Sequence, residues 1–250
     1  TKPFVRKDRT IMLGKRRKKP DLPAVCAVIV AAGSSRRMGG ENKLLLPLCG
    51  KPVLAHTLTA FQMCGAVRDI VLVCREQDME VYRTLAAENG ITKLRTLTRG
   101  GDTRTESVLA GVSAASEACA LVAVHDGARP LVSDEVIAQA VAEAAKTGAA
   151  APVVPVKDSI KRIENGKIAA DVPRDTLAAV QTPQVFRRDM LLHALLDAAA
   201  NGRNFTDDCA AVEALGQTVS ATSGSYENIK VTTPEDIAVA EAFLYRREKK

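Results

Sequence analysis

From residue 24 onward, the hydrophobic positions follow two alternating periods. Short apolar runs rich in Val, Ile and Ala predict strands near 24–32, 69–74, 93–98, 120–125 and 149–156. Amphipathic segments between and after these runs predict helices near 52–64, 77–89, 104–116, 134–147, 187–201, 207–215 and 234–247. Alternation of strands and helices over this length is typical of an α/β fold with a doubly wound, mostly parallel, Rossmann-like sheet.

Helix-start signals support three of these helices. Thr103 and Glu106 have the spacing of a capping box, in which each side chain satisfies a backbone N–H of the other residue. Ser133 precedes two acidic residues, and Thr233 precedes Pro234 and two more acidic residues. These are favoured residue types for a helix N-terminus.

One segment departs from the alternation. Residues 161–170 form two short polar runs around Asn165-Gly166, a dipeptide that strongly favours a two-residue hairpin turn. Because the hairpin has few apolar positions, it has little to bury against its own domain. We predict a protruding β-arm at about 157–175 that reaches toward another subunit in a homodimer; an inert surface hairpin is the alternative.

The net charge of +6 is unevenly distributed. Residues 1–23 hold nine Lys or Arg and two Asp, whereas residues 24–250 hold 26 basic and 27 acidic residues. We therefore predict a basic, disordered extension at 1–23 and one nearly neutral domain at 24–250. The extension could instead bind nucleic acid or an anionic membrane.

Composition excludes several classes of protein. Aromatic residues make up 3% of the chain and Trp is absent, so the stacking platforms of single-strand nucleic-acid binders are missing. No apolar run approaches the roughly 20 residues of a membrane span, and no export signal is evident. The six cysteines form no C-x-x-C pair and mostly lie in apolar segments. This pattern predicts buried thiols in a soluble, cytoplasmic protein.

The most distinctive segment, 28–43, reads VIVAAGSSRRMGGENK. An apolar strand ends in small residues and passes into a loop that carries Arg36, Arg37 and Lys43. Small side chains allow a ligand close to the backbone, and the cations can neutralise phosphate charge. The segment predicts a polyphosphate site, although a Gly-Ser turn followed by solvated arginines is the alternative.

Two common phosphate-binding motifs do not match this loop. The Walker A motif needs a second glycine where Met38 stands, counted from Gly33. The dinucleotide-binding motif needs glycines where Ser35 and Met38 stand. The loop therefore belongs to neither class.

Other candidate residues follow the third and fourth predicted strands. Residues 100–104 read GGDTR and lead into a helix with Ser107 one turn along, and Asp126 and Arg129 follow the fourth strand. Ligands of open α/β sheets bind at these carboxyl ends. A carboxylate beside a triphosphate is suited to Mg²⁺ or another divalent cation, so Asp126 is the candidate ligand. An aspartate that only caps a turn is the alternative.

The chain has no evident catalytic nucleophile. It lacks G-x-S-x-G, and no cysteine has a convincing partner. His125 should point away from the face used by Asp126, and His56 and His193 lie in helical patterns, so we interpret all three as structural. A phosphate monoester is already largely a dianion at neutral pH. It could attack the α-phosphorus of a nucleoside triphosphate directly, with catalysis by alignment and charge neutralisation.

Together the motifs resemble a known family, the 2-C-methyl-D-erythritol 4-phosphate cytidylyltransferases. The matching motifs, in order, are AAGSSRRMGGENK, GGDTRTESVLAG, VHDGARPLV, VPVKDSIKR, QTPQVF, FTDD and NIKVTTPEDIAVAE. The resemblance spans about 24–247 and implies a nucleotidyltransferase-type fold with a homodimer joined through the β-arm. It also implies CTP and methylerythritol phosphate as substrates in non-mevalonate isoprenoid synthesis. The nearly neutral domain and the scarcity of aromatic residues argue against a nucleic-acid partner, and we expect no membrane partner.

The resemblance assigns roles residue by residue. The catalytic cations would be Arg37, Lys43 and Lys230. The nucleotide would contact Ala31, Ala32, Gly33, Gly101, Asp102 and Ser107. The acceptor would contact Asp126, which also serves the metal, and Arg129, Thr182 and Thr206. The acceptor phosphate would contact Ser159 and Arg174 on the arm of the neighbouring subunit.

Small departures and rival functions remain. Leu44 stands where the family often has Gln, and Ser159 stands where it often has Thr, although a hydroxyl is kept. Ribitol-5-phosphate cytidylyltransferases look similar throughout, and Gly127-Ala128 tilts the interpretation toward the isoprenoid enzyme. A nucleic-acid-binding protein acting through residues 1–23 is the alternative from a different class.

Overall fold

The computed structural model describes residues 23–33 and 42–249. Its strands are β1 (Val25–Ala31), β2 (Pro47–Leu48), β3 (Lys51–Pro52), β4 (Val67–Cys74), β5 (Leu94–Arg99), β6 (Leu121–Asp126), β7 (Ala149–Pro155), β8 (Ile160–Glu164), β9 (Lys167–Val172), β10 (Ala178–Val180), β11 (Gln184–Arg187) and β12 (Ser220–Ser223). Its α-helices are α1 (Val53–Met63), α2 (Met79–Glu88), α3 (Arg104–Ala114), α4 (Asp134–Thr147), α5 (Arg188–Ala200), α6 (Asp208–Glu213) and α7 (Pro234–Glu248).

The main sheet is mixed and mostly parallel. Its strand order is β10-β7-β11-β6-β1-β4-β5, and β12 pairs with β7. The contacts of β1 with β4 and β6, of β4 with β5 and of β12 with β7 are parallel. The five predicted strands correspond to β1, β4, β5, β6 and β7, so the predicted α/β fold class is confirmed.

The strand between β6 and β7 was not predicted. β11 runs antiparallel to both, with Val185 opposite Ala123 on one side and Ala150 on the other. Its four residues, QVFR, are too few to produce a strand period in the sequence. β12 was not predicted either, because its sequence, SATS, lacks the alternation of apolar and polar residues that indicates a strand.

Helices cover both faces of the sheet. Neighbouring residues of β1 point to opposite sides, with Ile29 in one apolar cluster beside Phe61 of α1 and Val28 in the other beside Val108 of α3. Helix α3 lies close to the sheet, because a Cβ on Gly111 would be 2.4 Å from Val28 Cγ1. Two buried faces explain the nearly continuous apolar runs of the central strands.

The predicted hairpin is present as a separate two-stranded sheet of β8 and β9. Asn165 and Gly166 form its turn with φ values of 49° and 74°, the left-handed region that this dipeptide tolerates. Ile163 and Ile168 face each other across the strands and are 59% and 70% exposed. The hairpin thus carries apolar surface that its own chain leaves in solvent.

Strand direction and helix caps together define one edge of the sheet. β1, β5 and β6 end at Ala31, Arg99 and Asp126, and parallel orientation brings these ends to the same side. The capping box of Thr103 is present and starts α3 directly after β5, while Ser133 caps α4. Loops from three strands therefore meet at one edge.

None of the helices found in the described ranges is long and apolar enough to cross a membrane.

Candidate active site

A cavity of about 840 Å³ opens at this edge of the sheet. Among the residues that sequence analysis singled out, it is lined by Ala31, Ala32, Gly33, Lys43, Gly101, Asp102, Ser107, Asp126 and Lys230. Segments far apart in the sequence, from the first strand to the loop before α7, thus contribute to one cavity. Arg37 lies outside the described residues.

The cavity also contains charged and polar residues that sequence analysis did not assign to the site. These are Arg75, Glu76, Gln77, Arg99 and Thr232, whereas Gly100, Thr103 and Arg104, which also line the cavity, belong to the candidate segment GGDTR. Arg75 directly follows the apolar strand β4, as Asp126 ends β6, so its position at a strand end was a usable signal. Arg75 Nε donates to Asp78 Oδ2 at 2.7 Å, and Arg99 Nη1 lies 3.4 Å from Glu76 Oε2.

One wall of the cavity is built from close contacts between small residues. A Cβ on Gly100 would lie 2.6 Å from Ala32 Cβ and 2.8 Å from Ser107 Oγ. On Gly101, a Cβ would lie 2.3 Å from Glu106 Cβ. The loops after β1 and β5 therefore require glycine at these positions, and they leave a narrow surface of backbone and short side chains.

The carboxylate of Asp126, which lines the cavity, is surrounded by positively charged side chains. Its Oδ2 lies 3.0 Å from Lys230 Nζ and 3.5 Å from Arg129 Nε. Burial acts to raise the pKa of Asp126, but the positive charges of Lys230, Arg104 and Arg129 outweigh it and lower the pKa to about 2. Asp126 is therefore ionised throughout the physiological range.

Backbone contacts hold Lys230 beside Asp126. Val231 N donates to Ala128 O at 2.8 Å, and Arg129 Nη1 donates to Asn228 O at 2.7 Å. The segment that carries Lys230 is thus bonded on both sides of this lysine to the turn that follows β6. The turn and the lysine segment form one structural unit.

Lys43 contacts the same segment. Its Nζ donates to Val231 O at 2.9 Å. The adjacent Asn42 is fixed to the protein body, because its Nδ2 donates to the buried Tyr82 hydroxyl at 2.9 Å. The two lysines that the sequence analysis named as catalytic are therefore gathered around residues 230 and 231.

A buried ion pair joins the loop after β5 to the start of α6. Arg104 donates through both terminal nitrogens to Asp208, at 2.8 and 2.7 Å. Asp208 is 1% exposed, and burial raises its pKa although Arg104 opposes this effect. Such bidentate pairs fix geometry as well as charge. The positive charge of Arg104 consequently has a fixed place on the cavity wall.

Five of the six predicted acceptor residues do not line this cavity. Thr182 is buried, and its hydroxyl contacts the backbone of Asp126 at 3.2 Å. Thr206 is exposed in the loop before α6. Ser159 and Arg174 are exposed at the base of the hairpin, where Arg174 Nη1 donates to Lys157 O at 2.8 Å. Arg129 contacts the lining residue Asp126, with its Nε 3.5 Å from Oδ2.

The donor set restricts how a divalent cation can be held. In the described residues, no cluster of three His, Cys, Asp or Glu side chains has the geometry of a metal site. The Asp126 carboxylate is a hard oxygen ligand in a cavity that is otherwise rich in cations. It fits Mg²⁺ bound through one carboxylate and the phosphates of a nucleotide, the usual mode for this ion.

The described residues offer no activated thiol or imidazole in the cavity. Burial raises the pKa of Cys64 and of Cys74 to about 11, and no disulfide is present among the described cysteines. His125 is fully buried, and burial lowers its pKa to about 4. These findings agree with the expectation that the cysteines and His125 are not nucleophiles.

The fold and the cavity together define a class of enzyme. An open α/β sheet with a cation-rich cavity at its strand ends is suited to a polyphosphate substrate. No protein nucleophile is needed where a phosphate itself attacks, and lysines in such a cavity can neutralise the charge of the phosphates. These features are the ones that a nucleotidyltransferase requires.

Comparison with known proteins identifies the family. The family model described as "2-C-methyl-D-erythritol 4-phosphate cytidylyltransferase" matches residues 25–246, so the chain belongs to this family. The enzyme of that name from Bacillus licheniformis is 46% identical over 218 residues, which cover 87% of this chain and 94% of that protein. The one from Desulforamulus reducens is 45% identical, covering 89% of this chain and 97% of the relative.

Solved structures agree with the sequence comparison. The 4-diphosphocytidyl-2C-methyl-D-erythritol synthase of Anaerococcus prevotii superposes with a TM-score of 0.80 at 29% identity, covering 88% of this chain and 96% of that one. The 2-C-methyl-D-erythritol 4-phosphate cytidylyltransferase of Thermus thermophilus gives a TM-score of 0.71 at 32% identity, covering 88% and 98%. The similarity therefore extends through the whole fold.

The charge network around Asp126 predicts a measurable pH dependence of stability. Because the folded-state pKa is about 2, below the usual 3.8, the carboxylate stabilises the fold above about pH 4 and loses this contribution as the pH falls toward 2. The difference in unfolding free energy between wild type and Asp126→Asn should therefore shrink by about 2 kcal/mol between pH 5 and pH 2. Urea unfolding at several pH values measures it.

Asp102→Asn is the matched control, since Asp102 lies exposed on the rim of the same cavity. It corrects for the general effect of removing one carboxylate from the chain. If the difference in unfolding free energy between wild type and Asp126→Asn stayed constant from pH 5 to pH 2, that result would contradict the ion pairs assigned to Asp126.

Proposed function

We infer that the protein transfers CMP from CTP to 2-C-methyl-D-erythritol 4-phosphate, giving 4-diphosphocytidyl-2-C-methyl-D-erythritol and pyrophosphate. Family membership supports the substrates. The observation that carries the mechanism is the pairing of Lys230 with Asp126 at 3.0 Å, with Lys43 bonded to the adjacent Val231. Two cations and one carboxylate thus converge where a triphosphate and a second phosphate would meet.

The proposed reaction is a direct in-line displacement. An oxygen of the acceptor phosphate forms a bond to the α-phosphorus of CTP, and the bond from that phosphorus to the bridging oxygen of the β-phosphate breaks. Pyrophosphate carries away the electron pair. The acceptor needs no general base because a phosphate monoester is largely a dianion at neutral pH. Lys43, Arg37 and Lys230 would neutralise charge that builds up in the transition state.

The nucleotide half of the cavity is the wall of small residues. Its close backbone packing at Gly100 and Gly101 supports binding of a flat base against Ala31, Ala32 and Gly33. Asp102 and Ser107 would supply polar contacts to the cytidine. The triphosphate would then extend toward Lys43, which also lines the cavity.

The acceptor half would be completed by a second subunit. Within its own chain, Asp126 and Arg129 would hold the acceptor hydroxyls and phosphate, with help from Thr182 and Thr206. Ser159 and Arg174 are exposed and do not line the cavity of their own chain, which supports a role in the site of a partner. The exposed pair of Ile163 and Ile168 supports burial of the hairpin in a homodimer.

A divalent cation, Mg²⁺ in the simplest case, would be held by Asp126 together with substrate phosphates. When bound, it would supply positive charge to the oxygens of the triphosphate. Asp126 would then have two tasks, since it also positions Lys230. We also propose a cytoplasmic location, in agreement with the buried reduced thiols.

The first test measures pyrophosphate release from CTP with each acceptor in turn. We expect release with 2-C-methyl-D-erythritol 4-phosphate in the presence of Mg²⁺ and loss of release with excess EDTA, because the triphosphate charge is then less neutralised. Release with ribitol 5-phosphate alone would assign the rival acceptor. Absence of release with either acceptor would overturn the proposed function.

The second test concerns Lys43. Lys43→Ala should lower kcat/KM by roughly 10²–10³-fold, since it removes a charge that acts on the transition state. Steady-state kinetics of pyrophosphate release measures the loss. Lys51→Ala is the control, because Lys51 is exposed on the small hairpin of β2 and β3. An unchanged rate for Lys43→Ala would mean that the lysine is not part of the machinery.

The third test concerns sharing of the site across the dimer. Lys43→Ala and Arg174→Ala subunits should each be weakly active alone, whereas a mixed dimer contains one site with both native residues. Random mixing in equal amounts should restore about a quarter of wild-type activity, since half of the dimers are mixed and each has one intact site. Activity no higher than the mean of the two variants would contradict the shared site.

A further inference from the structure

His125 is a buried polar residue that the proposed mechanism does not use. Its side chain is fully buried, and its ring centroid lies 4.8 Å from that of Phe61. Its Nδ1 lies 3.0 Å from Thr182 Oγ1, and its Nε2 lies 3.1 Å from Arg129 O. Both ring nitrogens therefore contact residues next to the catalytic carboxylate.

The chemistry of these partners determines which nitrogen carries the proton. Arg129 O is a carbonyl oxygen and can only accept, so Nε2 must donate to it. Thr182 Oγ1 accepts from the backbone N–H of Asp126 at 3.2 Å, and its own hydroxyl proton can be donated to Nδ1. The contacts thus define the neutral tautomer with the proton on Nε2.

The resulting hydrogen bonds close a loop around the turn that follows β6. Starting from the Asp126 N–H, the chain passes through the Thr182 hydroxyl and the imidazole to the Arg129 carbonyl. The turn is also fixed by the Arg129 N–H, which donates to Asp126 O at 3.0 Å. Both ends of the turn are therefore held, and its two charged side chains lie 3.5 Å apart.

We propose that His125 is a positioning residue for cytidylyl transfer, holding Asp126 and Arg129 in place through Thr182 and the Arg129 carbonyl. The proposal rests on the function inferred above and adds to it a residue that touches no substrate. The nucleotide wall is formed by other segments, after β1 and β5. Loss of His125 should therefore affect acceptor binding and the chemical step more than it affects CTP binding.

Packing alone does not explain a histidine at this position. A phenylalanine could fill the space beside Phe61, but it would leave the Thr182 hydroxyl and the Arg129 carbonyl without this partner. Buried polar groups without a partner are costly, and a shift of the turn would relieve the cost. The contacts with Thr182 and Arg129 need the two nitrogens of an imidazole, one accepting and one donating.

The test compares His125→Phe with His125→Gln in the full-length protein. We expect His125→Phe to lower kcat or raise the acceptor KM by roughly 10-fold or more, as for other residues that orient a ligand-holding carboxylate, while the KM for CTP changes less than 2-fold. His125→Gln should recover part of the loss, because its amide can still donate to Arg129 O. His193→Phe, on the exposed side of α5, is the matched control.

The outcomes separate this proposal from the proposed function. An inactive wild type overturns the function, whereas an active wild type with unchanged His125→Phe kinetics overturns only the positioning role. An equal rise in both KM values would indicate general damage and also overturn it.

Two further measurements remain available if His125→Phe does not fold. Thr182→Val should show the same kinetic split, with recovery in Thr182→Ser. In addition, ¹⁵N NMR of the wild-type imidazole should show a protonated Nε2 and an unprotonated Nδ1 at neutral pH. Observation of the opposite tautomer would overturn the hydrogen-bond chain.

Discussion

The arrangement of the site depends on the negative charge at the end of β6. Lys230, Arg104 and Arg129 are the cations whose charges act on Asp126, and they would repel one another in a partly buried cavity without it. Burial of the carboxylate is itself unfavourable, but the surrounding cations more than offset this, and the pKa falls to about 2. The same pairs bring Lys230 and Arg129 to defined positions. One carboxylate thereby fixes the arrangement of these cations.

Backbone geometry explains why the cavity forms at this edge. Parallel strands end on the same side, so loops after β1, β5 and β6 converge without any long connection between them. Close contact is possible because residues 100 and 101 have no Cβ, which would otherwise lie within 2.6 Å of neighbouring side chains. The loop after β5 is fixed further by the Arg104–Asp208 pair. The cavity thus combines a closely packed surface of small residues with a set of charged side chains.

Local patterns in the sequence are sufficient to predict much of the fold but only part of the site. Hydrophobic periodicity predicts the central strands, and residue types favoured at helix starts and tight turns predict the helix caps and the Asn165-Gly166 turn. The structure contains all of these elements. β11 could not be predicted, because its pairing on both sides depends on tertiary contacts rather than on its four residues. Arg75 was missed although it follows a strand end. The link from Thr182 to His125 crosses 57 residues, a distance that no spacing rule covers.

The two lysines of the site are both linked to the end of β6. Lys230 is paired with the Asp126 carboxylate at 3.0 Å, and Lys43 donates to the carbonyl of Val231 at 2.9 Å. Charge-assisted hydrogen bonds are roughly twice as strong as neutral ones, so the Asp126 pair fixes the position of Lys230. Because Val231 directly follows Lys230, the carbonyl that Lys43 contacts belongs to the segment that this ion pair holds. Both lysines are therefore tied to β6, one through the ion pair and the other through the backbone of residue 231.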